Sequence, residues 1–166
     1  MGELSPEILS QLLSSEEEIP PAVSKAAEKK TGADHWTPAV LLERAAYLRR
    51  MAHHGEGSAS ETLKAFPRHA AMLSVRNRDG MAELHERFAD LFYVLDGRAT
   101  LVTGGSIVGG AETEPGEIRG IAIEGGCMQE LRSGDLAHVP AGVPHQMMVP
   151  GAKTFSCFVL KIEEKD

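Results

Sequence analysis

The stretch that most constrains this chain is Glu83-Leu-His85-Glu-Arg-Phe-Ala-Asp90-Leu-Phe-Tyr-Val-Leu-Asp-Gly97. In a strand residues two apart share a face, so Glu83 and His85 project together while Leu84 and Glu86 turn away. A carboxylate and an imidazole on a half-buried face are costly unless something pairs with them. A divalent cation would do so. Asp90 opens the apolar run Leu-Phe-Tyr-Val-Leu, which the Asp96-Gly97 turn closes, so 90–97 reads as a strand that a hairpin could fold back over His85.

A second stretch completes the first. In Gly134-Asp-Leu-Ala-His-Val-Pro140-Ala-Gly142-Val-Pro144-His145 the prolines and glycines are too stiff and turn-rich for regular strand. Such a turn can aim His145 into the interior that Glu83 and His85 face. Each of these residues also has a plainer reading: a core histidine for His85, an ion pair with Arg87 for Glu83, a hairpin cap for Asp90. His138, two residues before Pro140, is a further candidate for an interior or supporting role, and either Met147 or Met148 must face inward by alternation.

These two stretches resemble the motifs of the cupin family. The pattern G-x5-P-x-G-x2-H-x3-N is met at Gly134, Pro140, Gly142 and His145, with Val149 in place of the last Asn. The pattern H-x-H-x3,4-E-x6-G is met in spacing by Glu83, His85, Asp90 and Gly97, with Glu83 standing for the first His and Asp90 for the Glu. The resemblance spans residues 65–163. It implies a mainly β fold, an antiparallel jelly-roll barrel, and a metal site of Glu83, His85, Asp90 and His145 in place of the commoner three-histidine set.

Imidazole and carboxylate donors without thiolate suit Mn, Fe, Ni or Zn as the divalent ion. Four donors would leave an octahedral ion two open positions. The second carboxylate makes the site less cationic, which weakens acidification of water and favours dioxygen or enediol chemistry. The expected activity is therefore that of an oxygenase, isomerase or lyase on a small organic substrate. The alternatives are a non-catalytic module that binds or senses a metal or small ligand, and a barrel whose polar interior is only structural.

The 166 residues suit one core, and the formal charge of −7 with pI ≈ 5.5 argues against nucleic acid or an anionic membrane as partner. No apolar run of membrane-spanning length occurs, so the expected location is cytoplasmic, or secreted if a leader once preceded Met1-Gly2. Cys127 and Cys157 show no metal-type spacing and read as reduced.

Residues 1–60 form the expected helical N-terminal extension, ahead of a barrel domain over 61–166. Ser5-Pro6-Glu7 caps a short helix with the stripe Ile8, Leu9, Leu12, Leu13, and Pro20-Pro21 stops it. Residues 22–30 read as a polar helix. Thr37-Pro38 opens a stronger helix on Val40, Leu41, Ala45, Leu48 and Met51, ended by Gly55, with residues 55–60 as linker. Small helices cannot bury an apolar face alone, so this extension should pack on the barrel or on a second subunit, and a homodimer is expected. Residues 104–126 read as a hairpin-like excursion near the barrel mouth.

Overall fold

The computed structural model describes residues 32–151 and 153–164. The helix and stop expected within residues 5–30 lie outside them. Among the described residues one helix, α1 (Pro38–His54), precedes thirteen strands: β1 (Ser58–Ala65), β2 (His69–Arg76), β3 (Ala82–His85), β4 (Phe88–Asp96), β5 (Arg98–Thr103), β6 (Ser106–Val108), β7 (Ala111–Glu114), β8 (Glu117–Gly120), β9 (Ala122–Glu124), β10 (Cys127–Arg132), β11 (Leu136–Val139), β12 (His145–Met148) and β13 (Phe155–Glu163). They form a five-stranded sheet, β1-β2-β13-β4-β11, a six-stranded sheet, β10-β5-β12-β3-β8-β7, and a two-stranded ribbon, β6-β9. Every pairing is antiparallel.

The two large sheets enclose one apolar core, built from alternate residues of each strand. Phe92 and Val94 of β4, Phe155, Cys157 and Val159 of β13, and Leu101, Leu131 and Met147 of the facing sheet pack there. The other face of the five-stranded sheet is also apolar. Leu73 and Val75 of β2, with Leu63 of β1, are buried beneath Ala45, Leu48 and Ala52 of α1. This is why β2 and β13 read as nearly continuous apolar runs: both faces are covered, as in a sheet flanked by helices.

Thr37 caps α1, its hydroxyl accepting from Val40 N at 3.3 Å, and Pro38 occupies the first turn, as its fixed φ permits. The helix starts and ends where its sequence indicates, but its buried stripe is rotated. Val40 and Met51 are exposed, whereas Arg44 and Ala52 are buried. Arg44 is carried inward because Glu61 of β1 neutralises it, its Nε donating to Oε2 at 2.9 Å. Of the two surfaces expected to cover the helix, its own barrel does so.

Two segments differ from expectation. Residues 58–60, expected in a linker, already belong to β1, paired with β2 from Ser58↔Arg76 onward. The 104–126 segment is more than an excursion. It makes the β6-β9 ribbon and the β7-β8 hairpin, and β8 joins the six-stranded sheet beside β3. A non-local pairing of that kind leaves no local periodicity to read.

Gly97 ends β4 at φ +91°, and a Cβ there would run into the Thr154 carbonyl oxygen. Gly134 has nearly the same φ, +90°, but open space around it. Gly134→Ala should cost only the left-handed penalty of about 1–2 kcal/mol. Gly97→Ala should cost more than Gly134→Ala, by roughly 1–3 kcal/mol for the forced overlap, measured as the difference in urea-unfolding free energy; equal losses would contradict this.

Candidate metal centre

Strand register assembles the site. β12 lies between β5 and β3, which sets His145 directly opposite Glu83. Two residues along β3, His85 shares the face of Glu83. Asp90 arrives from the five-stranded sheet across the lumen, on the inward parity of β4 that also carries Phe92 and Val94. The turn before His145 is tied to β3 by Gly142 N donating to the His85 carbonyl at 2.7 Å. Residues 62 apart in sequence, Glu83 and His145, thus become cross-strand neighbours.

The structure brings all four sequence-predicted residues together. One donor atom each from Glu83, His85 and His145 lies within 4.8 Å of the others. Asp90 Oδ2 is 3.2 Å from His85 Nε2 and 3.4 Å from His145 Nε2, and His85 Nε2 is 3.6 Å from Glu83 Oε2. His85, His145 and Asp90 are buried, and Glu83 is partly so.

The outer nitrogens of the two imidazoles are already engaged. His85 Nδ1 meets Glu117 Oε2 at 2.5 Å, and His145 Nδ1 meets the Val143 carbonyl at 3.1 Å. Both partners are acceptors, so each ring carries its proton on Nδ1 and, when neutral, turns the Nε2 lone pair inward. Both Nε2 atoms are buried and, among the described residues, make no well-formed hydrogen bond. Two inward lone pairs beside two carboxylates suit a divalent cation, and a carboxylate behind a ligating histidine is the usual support for one. The cluster could hold a metal ion.

Four residues of the site have no counterpart in the motifs. β8 sets Arg119 opposite Glu83 and Glu117 opposite His85, and Arg119 Nη1 approaches Glu83 Oε2 to 2.5 Å. Arg76 of β2 reaches Glu83 at 3.5 Å, and Lys161 of β13, in register with Asp90, reaches Asp90 Oδ1 at 3.4 Å. One signal for β8 was present: Glu117-Ile-Arg119 repeats the spacing of Glu83-Leu-His85 with matching charge. Other assignments fall away. Arg87 pairs with Glu163 at 2.5 Å, not with Glu83, and His138 is half-exposed near Glu164, outside the lumen. Met147 is the methionine that faces inward.

Burial alone would raise the Glu83 carboxyl, but the His85 contact and the Arg119 and Arg76 guanidiniums outweigh it and bring the pKa down to about 2. Asp90 is likewise held well below the carboxylate range, with contacts to His145, His85 and Lys161 overcoming burial. For His85, burial favours the neutral ring, yet Asp90 and Glu83 outweigh it and push the pKa up to about 9.

The protein TT1209 from Thermus thermophilus superposes with TM-score 0.51 at 18% identity, over 75% of this chain and 95% of that one. A cupin superfamily protein from Desulfitobacterium hafniense gives 0.45 at 16%, over 64% and 78%. This chain has the cupin fold. The DMSP lyase DddQ from Ruegeria pomeroyi gives 0.48 at 17%, over 66% of this chain but only 49% of the lyase, about half its length. No protein-family model matches the sequence, and no curated protein matches it. Among the described residues no helix is long and apolar enough to cross a membrane.

Because the folded-state pKa of His85 lies above its ordinary 6.5, the stability it contributes is fully present below 6.5 and fades as pH rises through about 9. Chelator-treated protein should therefore lose melting temperature between pH 7 and 10. In the same sample one imidazole should titrate near 9 by proton NMR; if every imidazole titrates near 6.5, the carboxylate cage around His85 is wrong.

Proposed function

We propose that this cupin is a metal-dependent enzyme acting on a small organic molecule, of the oxygenase, isomerase or lyase type, with Glu83, His85, Asp90 and His145 as ligands to Mn, Fe, Ni or Zn. The observation that carries the reading is the pair of buried Nε2 atoms, each fixed from behind through Nδ1 and each facing Asp90 at 3.2–3.4 Å. Structural core histidines normally spend both ring nitrogens on hydrogen bonds. These keep one nitrogen each in reserve.

A bound divalent ion would supply Lewis acidity toward a substrate oxygen. The chain's own residues supply the rest. Glu117 and the Val143 carbonyl set the ring orientations. Arg119 and Arg76 keep Glu83 ionised and in place, and Lys161 does the same for Asp90. Phe92, Met147 and Phe155 border a cavity of ≈ 200 Å³ beside the cluster, which gives a small substrate room. A purely structural polar cluster would need no such cavity.

The test is metal content by plasma mass spectrometry on untagged protein after reconstitution and gel filtration. Wild type should retain about one ion per chain, whereas His85→Ala and His145→Ala should retain almost none. Glu117→Gln should weaken metal affinity about 10–100-fold, as loss of a supporting carboxylate does. Glu83→Ala should weaken it about as much as His85→Ala. Metal content unchanged in the histidine variants would overturn the assignment.

Metal affinity should also depend on pH. The proton that His85 holds up to about 9 must leave before Nε2 can bind a cation. Apparent affinity should thus rise by up to about tenfold per pH unit between 7 and 9, with roughly one proton released per ion in calorimetry across buffers of different ionisation enthalpy. A pH-independent affinity over that range would contradict His85 as a ligand.

A further inference from the structure

We infer that the small molecule taken by this site is an organic carboxylate with a short apolar body, its charged end received by Lys161 and Arg119. The inference rests on the reading that the cluster holds a divalent cation. Arg76, Arg119 and Lys161 line the cavity, against the carboxylates Glu83 and Asp90 and, behind His85, Glu117. Three cations balance three carboxylates. With neutral imidazoles a divalent ion adds two positive charges, and no other described residue bordering the cavity offsets them. Uncompensated charge among largely buried groups is costly, so the site is built to accept an anion.

Two donors are positioned for it. Among the described residues, buried Lys161 Nζ makes no hydrogen bond and touches only Asp90 Oδ1 at 3.4 Å and the face of Phe88 at 5.6 Å. An ammonium carries three donors, and one loose ion pair leaves that capacity largely unused. Arg119 is paired more closely, Nη1 at 2.5 Å from Glu83 Oε2 and Nη2 at 3.5 Å from Glu117 Oε2, yet among the described residues its buried Nη1 makes no well-formed hydrogen bond. Lys161 and Arg119 come from opposite sheets, so a carboxylate between them would gain charge-assisted bonds from both sides of the lumen.

The remaining wall is apolar: Met72, Phe92, Met147, Phe155 and Val159. A volume of ≈ 200 Å³ corresponds to roughly six or seven waters at about 30 Å³ each. That suits a carboxylic acid of a few carbons.

The experiment is calorimetric titration of full-length, manganese-loaded protein with acetate, propanoate, lactate and 2-oxobutanoate, each against its neutral amide. Manganese content is measured separately on every sample. At least one acid should bind roughly tenfold or more tightly than its amide, the scale of a charge-assisted pair. Lys161→Met should reduce that preference to within about twofold with manganese retained, and Lys161→Arg should restore part of it; Arg119→Gln tests the opposite side and decides the matter if Lys161→Met does not fold. Manganese bound with no acid preferred over its amide, or a preference untouched in both variants, overturns this inference alone. Absence of manganese from wild type overturns the metal reading and, by removing the charge excess, this inference with it.

Discussion

Everything in this structure turns on the placement of two imidazoles and three carboxylates between two packed sheets, where each ionised group must be offset or the barrel is destabilised. Glu83, Asp90 and Glu117 are offset in different ways: the first by Arg119 and Arg76, the second by Lys161 and the imidazoles, the third by His85. The imidazoles are satisfied on one side only. Their inward nitrogens are what the carboxylates alone do not settle, and they give the lumen its chemical character.

The fold supplies that arrangement through register. Because β12 pairs with β3 on one edge and β5 on the other, His145 cannot move relative to Glu83 without sliding two ladders at once. A slip of one residue would turn every side chain of β3 to the opposite face and expose Ala82 and Leu84 to the lumen in place of Glu83 and His85. Placing α1 over the outer face of β2 stiffens the sheet that carries Asp90 and Lys161. The cluster is thus held by regular strands on both sides, which limits how far its side chains can drift.

The sequence made the barrel and the four clustered residues legible because both depend on short-range pattern: alternation around Glu83 and His85, the Asp96-Gly97 turn, and the stiff run from Pro140 to Pro144. What it hid depends on pairing between distant strands. Glu117 and Arg119 matter only because β8 lies beside β3, and Lys161 only because β13 lies beside β4. The rotation of α1 was hidden for a similar reason. Arg44 looks like a surface residue until Glu61 of β1 is placed beneath it. His138 and Arg87 misled in the opposite direction, since local spacing put them near the site while strand direction sends them to the surface.

The central claim is that the inward nitrogens of His85 and His145 share one cation. The most direct measurement is anomalous diffraction at the manganese or iron edge from crystals grown with that ion. The account predicts a single strong peak at coordination distance, roughly 2.0–2.3 Å, from Nε2 of both His85 and His145. Crystals with no peak between the rings, and with both Nε2 atoms instead hydrogen-bonded to Asp90 and Glu83, would contradict it.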